Sequence, residues 1–178
     1  FGNAALDAPG YDLLALMNGS EGLLAMITEV TLKLTPKPEL AQVVLAYFDD
    51  VTKAGDAVAS IIAAGIIPAG LEMMDKKATH AVEPYVNAGY NMEAEAVLLC
   101  ESDGTPEEVA EEIARVTEVL TVAGAGDIRV SQSEAERLRF WAGRKAAFPA
   151  VGRITPDYYC MDGTIPRKRV AEMLSSIA

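Results

Sequence analysis

Arg137, Trp141 and Arg144 recur at spacings of four and three, so on a helix their side chains share one face. A guanidinium beside a large aromatic ring can be partly desolvated, and its planar fork then suits a carboxylate bidentately. Gly143 sits inside the same pattern, where it costs ~1 kcal/mol relative to alanine, and so points to another group lying close against the backbone. A structural alternative fits the same residues: Trp141 in the core, with the arginines snorkelling to water. A second cluster follows in YYCMDGTIP, Tyr158 to Pro166, with two phenols, the Cys160 thiol and the Asp162 carboxylate ahead of a glycine turn. Read as a strand over 158–161, it puts Tyr159 and Met161 on one face and Tyr158 and Cys160 on the other, so half of these residues are expected in the core.

A third candidate is GSEGLLAMITE, Gly19 to Glu29. Gly19 and Gly22 lack a Cβ, so the backbone can take positive φ or lie against a flat ligand. The residues after it alternate from Val30 to Leu34 and predict a strand over 26–34. A phosphate-binding glycine loop should instead open a helix, so this one belongs to a different kind of nucleotide site. His80 is the one histidine. Without further imidazoles or a serine partner it makes neither a metal site nor a hydrolytic triad, and it receives no catalytic role. Cys100 and Cys160 form no C-x-x-C pair, and their apolar contexts suit buried thiols or a reducing compartment.

The 178 residues carry a net charge of −11, which argues against a nucleic-acid surface. The charge is uneven: residues 1–136 hold 7 basic against 23 acidic side chains, whereas residues 137–178 hold 8 against 3. A basic segment in an acidic chain suits a small anion, although solvated helix faces and last-turn cations account equally for any single residue. No apolar run reaches the ~18 residues of a membrane span. The start at Phe1, without methionine or a basic n-region, reads as the interior of a longer protein.

Elements able to position these groups follow from periodicity and caps. Two prolines, Pro36 and Pro38, interrupt the chain and mark a domain boundary, giving units 1–38 and 39–178. Beyond it, 40–48 is a strand, and Asp50 caps a helix carrying Val51, Ala54, Ala57, Val58, Ile61 and Ile62 up to Gly65. A strand over 66–73 is interrupted at Pro68. A helix over 75–86 and a strand over 94–101 follow. Thr105, Pro106 and Glu108 form a capping box for a helix with Val109, Ile113, Val116 and Leu120 on one face. A short strand spans 127–131, Ser133 and Glu136 open a helix to about Ala147, and Pro166 starts a terminal helix. This order predicts an α+β domain with helices on one face of a largely antiparallel sheet; a parallel α/β sheet fits the same order.

Three stretches carry a resemblance. PGYDL (Pro9 to Leu13), leading into GSEG and Ile27 to Glu29, resembles the end of the FAD-binding domain in flavoproteins of the vanillyl-alcohol-oxidase type. LEMMD (Leu71 to Asp75), RKAAFPAVGR (Arg144 to Arg153) and DYYCMDGTIP (Asp157 to Pro166) resemble the FAD-linked subunits of bacterial glycolate oxidases. The chain departs from that pattern at Leu23 and Ala25, where the family usually has Thr and Gly. The resemblance implies an FAD-dependent oxidation of glycolate or D-lactate to the 2-oxo acid, by hydride transfer to flavin. It implies Gly19, Ser20, Glu21, Gly22 and Ile27 along the FAD, and Arg144 as the substrate-carboxylate anchor. It also places the glycine-rich pyrophosphate loop and the metal-holding histidines outside the chain, so no metal ligands are expected here. The chain would then be an internal fragment: the C-terminal remnant of an FAD domain and a truncated substrate domain. Alone it is expected to retain no FAD and no activity. Further implications are partner subunits, one of them an iron–sulfur protein, and a cytoplasmic location, peripheral to the inner membrane through those partners as the alternative. The rival reading is a stand-alone α+β small-molecule-binding or subunit-assembly module without catalysis.

Overall fold

The computed structural model describes residues 10–177, and the chain divides into two units, Phe1–Lys37 and Pro38–Ala178. In the first, α1 (Leu13–Met17) is a single short turn of helix, capped by Asp12, whose carboxylate accepts from the Ala15 amide at 3.0 Å. A tight turn follows at Ser20–Leu23, closed by the Leu23 amide donating to the Ser20 carbonyl at 2.9 Å. Both central residues take positive φ, 52° at Glu21 and 77° at Gly22, and Gly19 does so as well at 77°. The expected strand over 26–34 is absent: the segment pairs with nothing among the described residues. Val30, Leu32 and Leu34 stand exposed. Alternation selects a pleated surface only where a neighbouring strand and a core are available to use it.

The second unit is built on four strands, β1 (Leu40–Phe48), β2 (Gly70–Asp75), β3 (Ala96–Gly104) and β4 (Asp127–Val130), in the order β2-β3-β1-β4 with every pairing antiparallel. The α+β class and the antiparallel sheet are as expected, and the parallel alternative fails. The helices, however, cover both faces rather than one. On β1, Val44, Ala46 and Phe48 face a core completed by α2 (Val51–Ala63) and α4 (Pro106–Val122), through Ile61, Val109, Ile113, Val116 and Leu120. Val43, Leu45 and Tyr47 face the opposite core, with Val82 of α3 (Lys76–Val86) and Phe140 of α5 (Glu134–Lys145). The reason is legible in β1 and β3: unbroken apolar runs suit strands buried on both sides, whereas one covered face would alternate with polar residues. Each large aliphatic in these layers contributes ~1.5–3 kcal/mol on burial.

Local chemistry explains most boundaries. Thr105 and Glu108 form both halves of the capping box, at 3.3 and 2.9 Å. At α5 only half of the expected box forms. The Glu136 amide donates to Ser133 Oγ at 3.2 Å, while the Glu136 carboxylate takes the Gln132 amide, one residue earlier. The helix expected to run to Ala147 breaks at Ala146 and restarts as α6 (Ala147–Ile154), with Pro149 in its first turn, where a missing N–H costs nothing. β2 begins at Gly70, because Pro68 cannot donate to a ladder. Residues 158–161 form no strand, and Tyr159 and Met161 are exposed, so the expectation of a half-buried pair of faces there fails for want of a neighbouring strand. A 3₁₀ turn at Arg167–Arg169 follows Pro166 and leads into α7 (Val170–Ile177), which packs on α2 at Gly55. No described helix is long and apolar enough to cross a membrane.

Candidate functional site

α5 is held in place by its sequence. Ser133 caps it, Glu134 and Glu136 occupy the first turn, and Arg144 and Lys145 the last, so the side-chain charges oppose the helix dipole at both ends. Phe140 and Gly143 face the core. Arg137, Trp141 and Arg144, spaced as expected, meet two carboxylates carried by the sheet. Glu101 of β3 lies opposite Gly70 of β2, and Glu72 lies opposite Leu99, which sets both acids on the α5 side. Trp141 packs on Gly70, where a Cβ would come within 3.1 Å of its ring, and its Nε1 donates to Glu101 at 2.5 Å.

The two arginines differ in what remains of their forks. Arg137 donates from Nη1 to Glu101 at 2.7 Å, and from Nε and Nη2 to Glu134 at 2.7 and 2.8 Å. Hydrogen bonds to Glu134, and then to Glu101, raise its pKa against the desolvation that opposes them. Each of its three nitrogens already has a carboxylate acceptor. Arg144 donates from Nε to Glu72 at 2.8 Å, and its side chain is 39% exposed. Among the described residues its two terminal nitrogens have no acceptor. Glu72 thus orients the guanidinium while Nη1 and Nη2 stay available to a carboxylate from outside. The alternative of snorkelling arginines does not hold for Arg137, while Trp141 is half-buried and packs against the core on the α5 side, with its indole N–H on Glu101.

Beneath α5, the Tyr90 hydroxyl donates to the Phe140 carbonyl at 2.5 Å and accepts from the Gly143 amide at 3.1 Å. Burial pushes this phenol up to about 12, with the Gly143 hydrogen bond only partly opposing it, so it stays a neutral donor. A Cβ on residue 143 would overlap the Tyr90 ring, which is the close approach that Gly143 foreshadowed.

The other sequence candidates are placed as follows. Gly19, Ser20, Glu21 and Gly22 form the turn of the first unit, exposed except for the half-buried Ser20, with nothing within 4 Å of the Cβ positions of the two glycines, and Ile27 is exposed beyond it. Cys160 and Asp162 are exposed, while Cys100 is buried, its thiol pushed up to about 12 chiefly by desolvation. Phe148 and Tyr158 stack with centroids 6.5 Å apart. His80 bonds the Met92 carbonyl at 2.8 Å, and no group of three or more metal-ligating side chains occurs among the described residues. Sequence reasoning gave no role to Glu72, Glu101 or Tyr90. An acid on the same strand face as Gly70 and Met74, or ending the run AVLLCE, was the available sign that a cation must pair there.

Comparisons with known proteins agree with this fold. The chain is 62% identical over 177 residues to glycolate oxidase subunit GlcD of Escherichia coli K12, covering 99% of this chain and 36% of that protein. It is 37% identical to glycolate oxidase subunit GlcD of Bacillus subtilis, covering 99% of this chain and 37% of that protein. To a D-lactate dehydrogenase of Anaerostipes hadrus it is 33% identical, with 93% and 36% covered. The chain therefore spans about a third of the length of these relatives. Among solved structures, an alkyldihydroxyacetonephosphate synthase superposes with a TM-score of 0.69 at 17% identity, over 94% of this chain and 36% of that one. That likeness shows the shared fold. Residues 37–178 match the model of the family described as FAD linked oxidases, C-terminal domain, and the chain belongs to that family.

Proposed function

We propose that this chain supplies the substrate-carboxylate side of an FAD-dependent 2-hydroxy-acid oxidoreductase that converts glycolate, or D-lactate, to the 2-oxo acid. The observation that carries the reading is the half-engaged fork of Arg144, fixed by Glu72 and open at its terminal nitrogens. Support comes from the relatives named as glycolate oxidase subunits and D-lactate dehydrogenases. In this reading residues 1–38 end an FAD-binding domain and residues 39–178 form the substrate domain. Further subunits, including an iron–sulfur protein, would receive the electrons, in the cytoplasm or at the inner membrane surface through those subunits.

The turn of the first unit fits a flavin as one wall of its site. Among the described residues the amides of Glu21 and Gly22 have no acceptor, and no side chain obstructs either glycine. Gly19, Ser20, Glu21, Gly22 and Ile27 are the residues of this chain that would hold the flavin. When bound, FAD supplies the acceptor for the hydride that leaves C2 of the hydroxy acid. Arg144 binds the carboxylate with two parallel N–H···O bonds, which fixes the adjacent C2 in orientation. Glu72 keeps the guanidinium from swinging with the ligand.

The test is anaerobic mixing of the full-length, FAD-loaded protein with glycolate, D-lactate and L-lactate. Loss of oxidised-flavin absorbance with glycolate or D-lactate, each giving one equivalent of 2-oxo acid per flavin, is the expected result. A flavoprotein that none of the three reduces contradicts the proposal and favours a module without this chemistry.

A further inference from the structure

We infer that Tyr90 is a positioning residue for Arg144, locking the last turn of α5 from beneath so that the guanidinium is presented at a fixed angle. The inference rests on the reading of Arg144 as the carboxylate anchor. Tyr90 lies 50 residues from Phe140 in sequence and is itself buried, yet its hydroxyl ties together Phe140 and Gly143, the two core-facing residues of that turn. Arg144 is the next residue after Gly143. The hydroxyl is neutral, so it serves as donor to the carbonyl and acceptor from the amide at once.

The tyrosine is in turn held from outside. Both oxygens of the Glu83 carboxylate accept backbone amides, from Gly89 at 2.9 Å and Tyr90 at 3.2 Å. Arg129 donates to the Gly89 carbonyl at 3.2 Å and lies over the Phe140 ring at 4.9 Å. Asn87 ends α3 with a φ of 52°, which turns the chain into this short segment. A continuous set of contacts therefore runs from α3 through Tyr90 to the turn that bears Arg144. On the sheet side Glu72 holds the guanidinium at Nε, and Tyr90 holds the backbone at the preceding Gly143 amide. A two-point hold of this kind serves a geometric task, because a misplacement of ~1 Å at a binding group can cost as much as 10²-fold in rate.

The test compares Tyr90→Phe, Arg144→Lys and the double variant in the full-length, FAD-loaded protein. Tyr90→Phe keeps the ring and removes the bridge. It is expected to raise KM for glycolate roughly 10-fold with kcat within about 2-fold, the mark of lost ground-state and transition-state binding alike. In the Arg144→Lys background the same change should have almost no further effect on KM, a non-additivity that general loosening of the fold would not give. Amide exchange at Gly143 and Arg144 should quicken while exchange in α4 is unchanged. Glu83→Gln should reproduce the KM effect at smaller amplitude, and it carries the comparison if Tyr90→Phe does not fold. If Arg144→Lys loses activity but Tyr90→Phe leaves KM unchanged, or adds its full effect to that of Arg144→Lys, the inference is overturned and the anchor reading stands. If Arg144→Lys is itself without effect, the anchor reading falls and takes the inference with it.

Discussion

On the proposed function, Arg144→Lys in the full-length protein is expected to lower kcat/KM for glycolate by roughly 30- to 1,000-fold, equivalent to ~2–4 kcal/mol of transition-state binding. Lysine keeps the charge and loses the fork. Arg144 spends Nε on Glu72 and keeps two parallel donors for the ligand, whereas one ammonium would have to serve both acceptors. The loss should therefore exceed what charge alone predicts. Arg137→Lys is the informative comparison. Its guanidinium is already shared between Glu101 and Glu134, so the change should lower stability and leave KM within about 3-fold. Thermal unfolding of both variants, measured alongside kinetics, separates the two effects.

Glu101→Ala is expected to be the most damaging single change to the platform under the site. The carboxylate accepts from both Arg137 and Trp141, and the side chains of the ion pair are 16% and 18% exposed. Removing it leaves a largely buried cation with only Glu134 as partner, and an indole N–H without an acceptor. Breaking a buried pair from one side costs ~3–5 kcal/mol, and Glu134 offsets part of this, so we expect about 3 kcal/mol. For a chain of this size that is a fall in Tm of roughly 6–12 °C. Glu101→Gln retains an acceptor for Trp141 and should cost less than half as much. Urea unfolding of the two variants checks this ordering. A Glu101→Ala protein within about 0.5 kcal/mol of the parent would show that Arg137 and Trp141 find other partners.

Local patterns carried far into the fold. The limits of β1, the Asp50 and Thr105 caps, the buried stripe of α4 and the close approach at Gly143 all follow from residues within a few positions of one another. The shared face of Arg137, Trp141 and Arg144 was likewise visible, because helical spacing alone produces it. What that face meets was not. Glu101 is 36 residues from Arg137, Glu72 is 72 from Arg144, and Tyr90 is 53 from Gly143. Those encounters depend on sheet register, which single-segment periodicity does not contain. The expected strands at 26–34 and 158–161 show the converse. Apolar alternation describes a residue's fitness for a sheet, and a strand exists only where another strand takes its hydrogen bonds. Coverage of both sheet faces is legible in the unbroken apolar runs of β1 and β3, whereas the order of elements alone does not contain it.

The claim that Arg144 holds the substrate carboxylate is tested most directly by comparing glycolate with glycolamide, its neutral isostere, in the parent enzyme and in Arg144→Lys. The parent should favour glycolate in kcat/KM by at least about 100-fold, since a charge-assisted bidentate pair is worth several kcal/mol more than a contact with a neutral amide. In Arg144→Lys the preference should fall by at least about 10-fold, the difference between a fork and a point charge. An undiminished preference for glycolate in a variant that folds and binds FAD normally would contradict the account, because another group would then be reading the carboxylate.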